Sequence, residues 1–464
     1  MSDKKKVYLR SFGCQMNERD SENIIALLAR NDFEQTPDPK EADLLLVNTC
    51  SIREHASHKA DSQLGRLGKI KFTSNRNPIL GVAGCLAQQE KEKFLKRFPF
   101  VDLILGPDVI HRLPQLIERI QKHSTREIDV NREVEKPIFL HEYLPYPVSQ
   151  PQEKGRIANK AFAYVVISRG CDFRCTFCVV PNTRGPEVSV PPDEIINEVK
   201  MFIEKGVREI ILLGQNVNSY GKNFNYPFPF SKLLQLIEEK IPLSSSLKRI
   251  RFTTSHPIDC GEDLMKCFRE LPRLCPHLHL PVQTGSDRIL RRMKRLYSIS
   301  DYKKRLQKVQ SYCQNISLST DIIVGFPGET QAEFEQTLDL LREIRYTHLY
   351  AFKYSPRPNT PALRLPDEVP EEMKDRRLKE LLALQEEISF KNNKGLVGEE
   401  MEVLVEGSNP KSPWYRFSGR SICNRKVHFS AQTHEDLRSK LVKVTIEKAQ
   451  TNSLLGKYQS GSAR

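Results

Sequence analysis

Three cysteines fall within eight residues, Cys171-Asp-Phe-Arg-Cys175-Thr-Phe-Cys178. The spacing C-x3-C-x2-C offers three thiolates from one loop, one fewer than a closed four-sulfur site takes. An iron–sulfur cubane held this way keeps one iron without a protein ligand, open to a substrate or cofactor. A structural zinc ion would want a fourth Cys or His close by, and none follows until His256. Phe173 and Phe177, interleaved with the thiols, suit a shielded redox centre. The spacing predicts a [4Fe-4S] cluster with an open corner.

A second set, Cys14, Cys50 and Cys85, is dispersed, with 35 and 34 residues between its members. Each follows a short apolar run that reads as a buried parallel strand: Val7-Tyr8-Leu9, Leu44–Val47 and Ile79–Ala83. With Val101–Leu105 and a helix over Ser21–Ala29, these make a βαβ series and an open, doubly wound α/β domain. Carboxyl ends of neighbouring parallel strands share one edge, so the three thiols can converge in one crevice. Three unrelated buried cysteines are the plain alternative. Three matching placements favour a second [4Fe-4S] cluster.

These elements sit in a chain of 464 residues, enough for two or three domains. The longest apolar runs are far too short to span a bilayer, and the lysine-rich start lacks the apolar stretch of a secretory signal. Eleven cysteines, an odd number without the spacing of a disulfide scaffold, fit metal ligation in a reducing cytoplasm. The net charge of +14 raises the expectation of a polyanionic partner.

The first domain is expected over residues 5–122, followed by a proline-bearing linker over 123–156 (Pro137, Pro145, Pro147, Pro151). A second αβ series fills 157–388. Its candidate strands are Phe162–Ile167, Glu209–Leu213, Ile250–Thr253, Leu278–Val282, Ser317–Val324 and Leu349–Tyr354. Six strand–helix units predict a partial (β/α)6 barrel. The cysteine triplet follows its first strand, at the carboxyl-end mouth where such barrels place their chemistry. Thr330-x-x-Glu333 is a capping box opening the last barrel helix, and Pro370–Lys394 is charged and helical. The tail, 391–455, shows short strand-like runs (Met401–Val405, Tyr415–Phe417, Lys426–Phe429, Leu441–Ile446) and reads as a small basic β-barrel.

Longer motifs strengthen the pattern. Phe12-Gly-Cys-Gln-Met-Asn17, Asn48-Thr-Cys-Ser-Ile-Arg-Glu54, Gly84-Cys-Leu-Ala-Gln88, Leu212-Leu-Gly-Gln-Asn-Val-Asn218, Thr254-Ser-His-Pro257, Leu280-Pro-Val-Gln283 and Asp321-Ile-Ile-Val-Gly-Phe-Pro-Gly-Glu329 stand out. With the cysteine loop, they resemble the radical S-adenosylmethionine (SAM) methylthiotransferases over nearly the whole chain. Gln15-Met-Asn17, Gln215-Asn-Val-Asn218 and Asn424-Arg-Lys-Val-His-Phe429 are most similar to the tRNA-modifying branch, whose tail is an RNA-binding TRAM domain.

The resemblance implies two [4Fe-4S] clusters, on Cys171/Cys175/Cys178 and on Cys14/Cys50/Cys85, and two uses of SAM. One SAM would methylate a sulfur held at the second cluster. Another would be split reductively, its radical taking hydrogen from C2 of N6-isopentenyladenosine next to the tRNA anticodon. The anticodon stem-loop is the expected partner, with a flavodoxin- or ferredoxin-type reductant, an unassigned sulfur donor and a monomeric protein. Gly214, Gln215, Gln283, Arg295, Asp321 and Gly325 are candidate SAM contacts at the mouth, although glycine after a strand is also ordinary turn chemistry. Two departures stand out: Val190 where the family usually has arginine, and Thr284 where serine is usual.

Other features have plainer readings. Cys275-Pro-His277-Leu-His279, with Cys260 and Cys267, alternates with Leu278 and Leu280 as a strand does, which favours a strand over a zinc site. The run Arg291–Arg295 reads by default as a solvated helix face. Trp414 and Tyr415 suit either RNA stacking or the core of a small barrel. Rival functions are methylthiolation of threonylcarbamoyl-adenosine or of a ribosomal-protein aspartate, and a non-catalytic iron–sulfur RNA-binding protein.

Overall fold

The computed structural model describes residues 4–51, 54–132, 161–409, 412, 414–433 and 435–459. They form two compact units. The first joins the residues up to 132 with Arg169–Phe173 and Cys178–Val190; the second holds residues 161–168, Arg174–Phe177 and the described residues from Pro191 on. The expected linker lies outside the described residues from 133 onward.

The first unit is built on a wholly parallel six-stranded sheet: β1 (Lys5–Phe12), β2 (Phe33–Gln35), β3 (Leu44–Thr49), β4 (Ile79–Gly84), β5 (Leu103–Leu105) and β6 (Glu127–Asp129), in the order β2-β1-β3-β4-β5-β6. The order reverses between β1 and β3, which opens a crevice at their carboxyl ends. Leu44 and Leu46 pack with Ile24, Leu28 and Leu113 on one face. Leu45 and Val47 pack with Leu64, Leu67 and Phe94 on the other. Burial on both faces is why these strands read as unbroken apolar runs. β2 and β6 were invisible to that reading because three residues with one apolar side chain carry no period. β6 falls within the stretch assigned to the linker. The first helix, Gln15–Ala29, begins at Gln15, with Cys14 as its cap residue, rather than at Ser21. Its opening turns bury Asn17, Arg19 and Asp20, polar residues that hide a helix from a hydrophobic pattern.

In the second unit six parallel strands follow the predicted series: β7 (Phe162–Val166), β8 (Glu209–Leu213), β9 (Arg249–Phe252), β10 (His277–His279), β11 (Ser317–Val324) and β12 (His348–Lys353). They pair as β9-β8-β7 and β10-β11-β12, and a parallel bridge from Ile250 to Leu274 lies between the two trios. This is the expected six-stranded partial barrel. The capping box forms as expected: Glu333 N–H donates to Thr330 Oγ1, and Thr330 N–H to Glu333 Oε2 at 2.9 Å. His277 and His279 are strand residues, as the alternation predicts, and Cys275 lies just before that strand. His277 Nε2 and His279 Nδ1 share Ser319 Oγ at 3.1 and 3.0 Å.

The tail closes into a barrel, β13 (Glu400–Ser408), β14 (Phe417–Ser421), β15 (Lys426–Ser430), β16 (Leu441–Ala449) and β17 (Leu454–Tyr458), ordered β13-β14-β15-β17-β16. Val403, Val405, Phe417, Phe429, Val444 and Leu454 fill it. Trp414 is 76% exposed and takes no part in that core. The tail barrel docks where strands β8 and β9 begin. Arg249, the first residue of β9 and 1% exposed, donates from Nη1 to Arg420 O at 3.0 Å and from Nη2 to Glu402 O at 3.0 Å and Oε1 at 2.9 Å. Arg251 donates to Glu209 Oε1 at 3.0 Å and to Ile422 O at 3.2 Å.

Removing Arg249 leaves the Arg420 and Glu402 carbonyls without their donor, while the half-exposed Glu402 carboxylate returns to water. Arg249→Leu is therefore expected to lower the unfolding free energy by about 1–3 kcal/mol, read from urea melts, and to expose the junction before β13 to limited proteolysis. An unchanged melt would show that this contact does not fasten the tail.

Candidate active site

Across the first sheet Phe12 pairs with Thr49, and Thr49 with Gly84. Cys50 and Cys85 are each the next residue after that row, and Cys14 follows after one glycine. Three adjacent strand ends thus deliver three sulfurs to one edge. Two glycines permit the turns. Gly13 (φ +148°) and Gly84 (φ +95°) adopt backbone that other residues rarely tolerate, and a Cβ would stand 2.4 Å from Cys50 Cβ and 2.4 Å from Asn48 Oδ1 respectively.

A buried amide pair ties the turns together. Asn17 Nδ2 donates to Asn48 Oδ1 at 3.1 Å and Thr49 O at 3.0 Å, and Asn48 Nδ2 returns a bond to Asn17 O at 2.8 Å. Arg184 is 4% exposed. It donates from Nε to Cys85 Sγ at 3.0 Å and pairs through Nη2 with Asp20 at 2.6 Å.

The thiols differ electrostatically. A hydrogen bond from Cys50, helped by the Asn17 backbone and the charge of Arg184, lowers Cys14 to about 6 against its burial. Burial pushes Cys85 up, with Arg184 opposing. Among the described residues no three Cys, His, Asp or Glu side chains stand round one point as a single metal ion would need. A cubane spreads its thiolates over three separate iron corners and does not ask for such a point. Arg184 Nη1 is buried without a partner in the structure, a donor left over for an anionic sulfur. The residues present fit a cluster and not a lone zinc.

In the second unit Cys175 is buried after β7. Arg295 Nη1 approaches its Sγ at 3.6 Å, while Nη2 donates to Pro281 O at 2.7 Å and Nε meets Tyr297 Oη at 3.0 Å. Thr176 N–H donates to Met293 O at 3.0 Å, and Phe177 packs with Ile289, Met293 and Phe326. One thiol of the triplet is therefore held in a dry wall beside a fixed cation, as a cluster ligand requires. Cys171 N–H, in the first unit, donates to Gly185 O at 3.1 Å.

The candidate SAM contacts divide. Arg295 joins Cys175 directly. Gln283 (φ +77°) donates its N–H to Asp321 O at 2.9 Å, so these two share the β10–β11 edge of the mouth. Gly214 packs on Ser168, where a Cβ would stand 2.5 Å from the hydroxyl, and half-buried Gln215 follows it. Gly325 instead faces Lys374, 2.4 Å from where a Cβ would be, and its N–H binds Glu329 Oε2 at 2.7 Å. Val190 is buried, and Thr284 keeps a hydroxyl role by bonding Ser286 N–H at 3.3 Å. Arg295 stands apart from its run as a buried group, which a charge pattern alone does not reveal. Sequence reasoning missed Arg184, Asp20 and the Asn17–Asn48 pair. Asn17 and Asn48 each fall within a motif singled out above, but their partners are distant in sequence.

Residues 165–341 match the radical SAM superfamily, and residues 6–106 match the uncharacterized protein family UPF0004. The tRNA-2-methylthio-N(6)-dimethylallyladenosine synthase of Syntrophus aciditrophicus (strain SB) is 42% identical over 454 residues, 98% of this chain and 94% of that one. The synthase of the same name from Francisella tularensis subsp. holarctica (strain LVS) is 43% identical over 460 residues, 98% of this chain and 99% of that one. Among solved structures, the radical S-adenosylmethionine methyltransferase TsrM from Kitasatospora setae, with tryptophan and a SAM analog bound, superposes with a TM-score of 0.57 at 11% identity, covering 87% of this chain and 79% of that chain. That last likeness is one of fold. With such identity sustained from end to end of its relatives, this chain belongs to the radical-SAM methylthiotransferase family, in the group of the tRNA-2-methylthio-N6-dimethylallyladenosine synthases.

Proposed function

We propose that the protein converts N6-isopentenyladenosine beside the tRNA anticodon to its 2-methylthio derivative, using both cysteine sets. The observation that carries this reading is the row of three thiols at adjacent strand ends, in addition to the cysteine loop of the barrel. A second cluster that donates sulfur is the use such a row fits.

An iron–sulfur cluster and SAM, when bound, supply one-electron cleavage able to break an unactivated aromatic C–H bond. The chain's own residues prepare the surroundings. Cys171, Cys175 and Cys178 would hold the cluster at the barrel mouth, with Arg295 donating to Cys175. Gln283 and Asp321 line the same rim, and Gly214 and Gln215 border it from β8. Cys14, Cys50 and Cys85 would hold the second cluster, with Arg184 donating to Cys85 and Asn17 keeping the loops in register. The target adenosine lies in a single-stranded loop, so its base can turn out without breaking a duplex.

The basic tail barrel, with exposed Trp414, suits RNA. One chain carries both thiol sets and this barrel, so a monomer suffices. The reductant would be a flavodoxin or ferredoxin, and the compartment the reducing cytoplasm. Among the described residues no helix is long and apolar enough to cross a membrane.

Anaerobic reconstitution is expected to load about eight irons per chain, two cubanes' worth. Alanine at all of Cys171, Cys175 and Cys178 should halve the iron and abolish 5′-deoxyadenosine formation from SAM. Alanine at Cys14, Cys50 and Cys85 should halve the iron and abolish methylthio transfer; full iron content there would remove the second cluster. Nucleosides from a deletion strain's tRNA should lack the 2-methylthio-N6-isopentenyl form, and an unchanged profile would refute the assignment. Cys14, lowered from the usual thiol value to about 6, is thiolate above that pH and thiol below it. In the metal-free protein its alkylation by iodoacetamide, followed by mass spectrometry, should rise through pH 6, while Cys85 stays unreactive until well above neutrality.

A further inference from the structure

The first unit contains a cleft that the cysteine chemistry does not use. Along β1 the side chains alternate: Val7 and Leu9 enter one core, while Tyr8 and Phe12 lie against the other. On that second face the helix Glu54–Thr73 leaves part of β1 uncovered. A cleft of about 680 Å³ opens there, lined by Tyr8, Arg10, Phe12 and, on the helix, by His58, Lys59, Ser62, Gln63 and Arg66. The size falls within the roughly 300–1,000 Å³ of small-ligand sites.

Its lining is of one electrical sign. Arg10, Lys59 and Arg66 are exposed cations, and among the described residues no carboxylate lines the cleft. Among the described residues none of the three cations is in a salt bridge. Other cations of the first unit do find partners, as half-buried Lys6 does in Glu41 and exposed Arg76 in Asp43. The aromatic components are set in place: Gln63 Nε2 donates to Tyr8 Oη at 3.3 Å, and the Arg10 guanidinium lies 5.9 Å from the Phe12 ring centre. Helical spacing puts Lys59, Gln63 and Arg66 on one side, facing strand residues two apart. Unpaired cations interleaved with two aromatic rings are the chemistry of single-stranded nucleic-acid binding: charge for phosphate and rings for bases.

We propose that this cleft binds an unpaired segment of the RNA substrate, with Arg10, Lys59 and Arg66 on phosphates and a base against Tyr8 or Phe12. The proposal rests on tRNA being the substrate. Phe12 is two residues before Cys14, so RNA held here lies along the same strand that delivers a sulfur.

The test uses the full, anaerobically reconstituted protein and a labelled anticodon stem-loop bearing N6-isopentenyladenosine, with affinity read by fluorescence anisotropy across a salt series. Arg10→Glu/Lys59→Glu/Arg66→Glu is expected to weaken binding at least tenfold and to flatten the log–log salt dependence by about two. A control with Lys232→Glu/Lys240→Glu/Lys266→Glu, three exposed lysines outside the cleft, carries the same charge change and should bind within about threefold of wild type. Tyr8→Leu should weaken binding roughly fivefold or more with the salt slope unchanged, as loss of stacking does; it keeps the test alive should the triple variant fold poorly. Wild-type affinity and slope in both cleft variants would overturn the proposal and leave the assigned function standing. Equal losses in the control and cleft triples would also overturn it. Absence of RNA binding by the wild type would bring down both.

Discussion

The register of three parallel strands governs the first unit. Phe12, Thr49 and Gly84 occupy one row, so the residues that follow must emerge side by side. A one-residue slip of β3 or β4 would send its cysteine to the other face of the sheet. Apolar burial on both faces forbids the slip, because Leu44 and Leu45 belong to different cores. The Asn17–Asn48 pair adds a polar lock at the edge itself. Buried amides that bond each other are costly to separate, since each would lose its partner out of reach of water. Packing thus sets the geometry of the thiols, and the amides hold it.

Each cysteine set also has an arginine brought in from elsewhere. Arg184 reaches Cys85 and Arg295 reaches Cys175, both buried and both donating N–H to sulfur. A buried guanidinium favours thiolate over thiol and stays protonated at any working pH. Arg184 is balanced by Asp20, whereas Arg295 is balanced by backbone carbonyl and tyrosine oxygen. The local charge therefore differs between the two sets, and with it the ease of adding an electron to whatever the thiols hold.

Much of this was legible in the chain. Runs such as Leu44–Val47 and Glu209–Leu213 are bounded by turn residues and fall in a βα rhythm, so most strand ends came within two residues. By contrast, Val7–Leu9 stopped short of Phe12, Leu278–Val282 ran past His279 and Tyr415–Phe417 reached only the first residue of its strand. The three-residue strands Phe33–Gln35 and Glu127–Asp129 carry too little pattern to be seen. Leu454–Tyr458 escaped because a single closing strand of a small barrel is recognisable only once its neighbours are in place. The cysteines announced themselves by spacing in one set and by position after strands in the other. Arg184 did not, because its contact with Cys85 spans 99 positions, and nothing local distinguishes it from a surface arginine. Burial is what turns such a residue into part of a site, and burial is a property of the assembled fold.

The anchoring of the tail has its own corollary. Arg249 and Arg251 clamp the small barrel to the end of the strands where they enter the sheet, whereas Cys175 sits where they leave it. Clamped by desolvated guanidinium groups, the tail behaves as a fixed jaw rather than a swinging arm. A polymer gripped by it, as the proposed function requires, would sit at a constant offset from Cys175, so selecting among polymers would become a matter of gauge: only one whose own bend and length match that offset could present a base there.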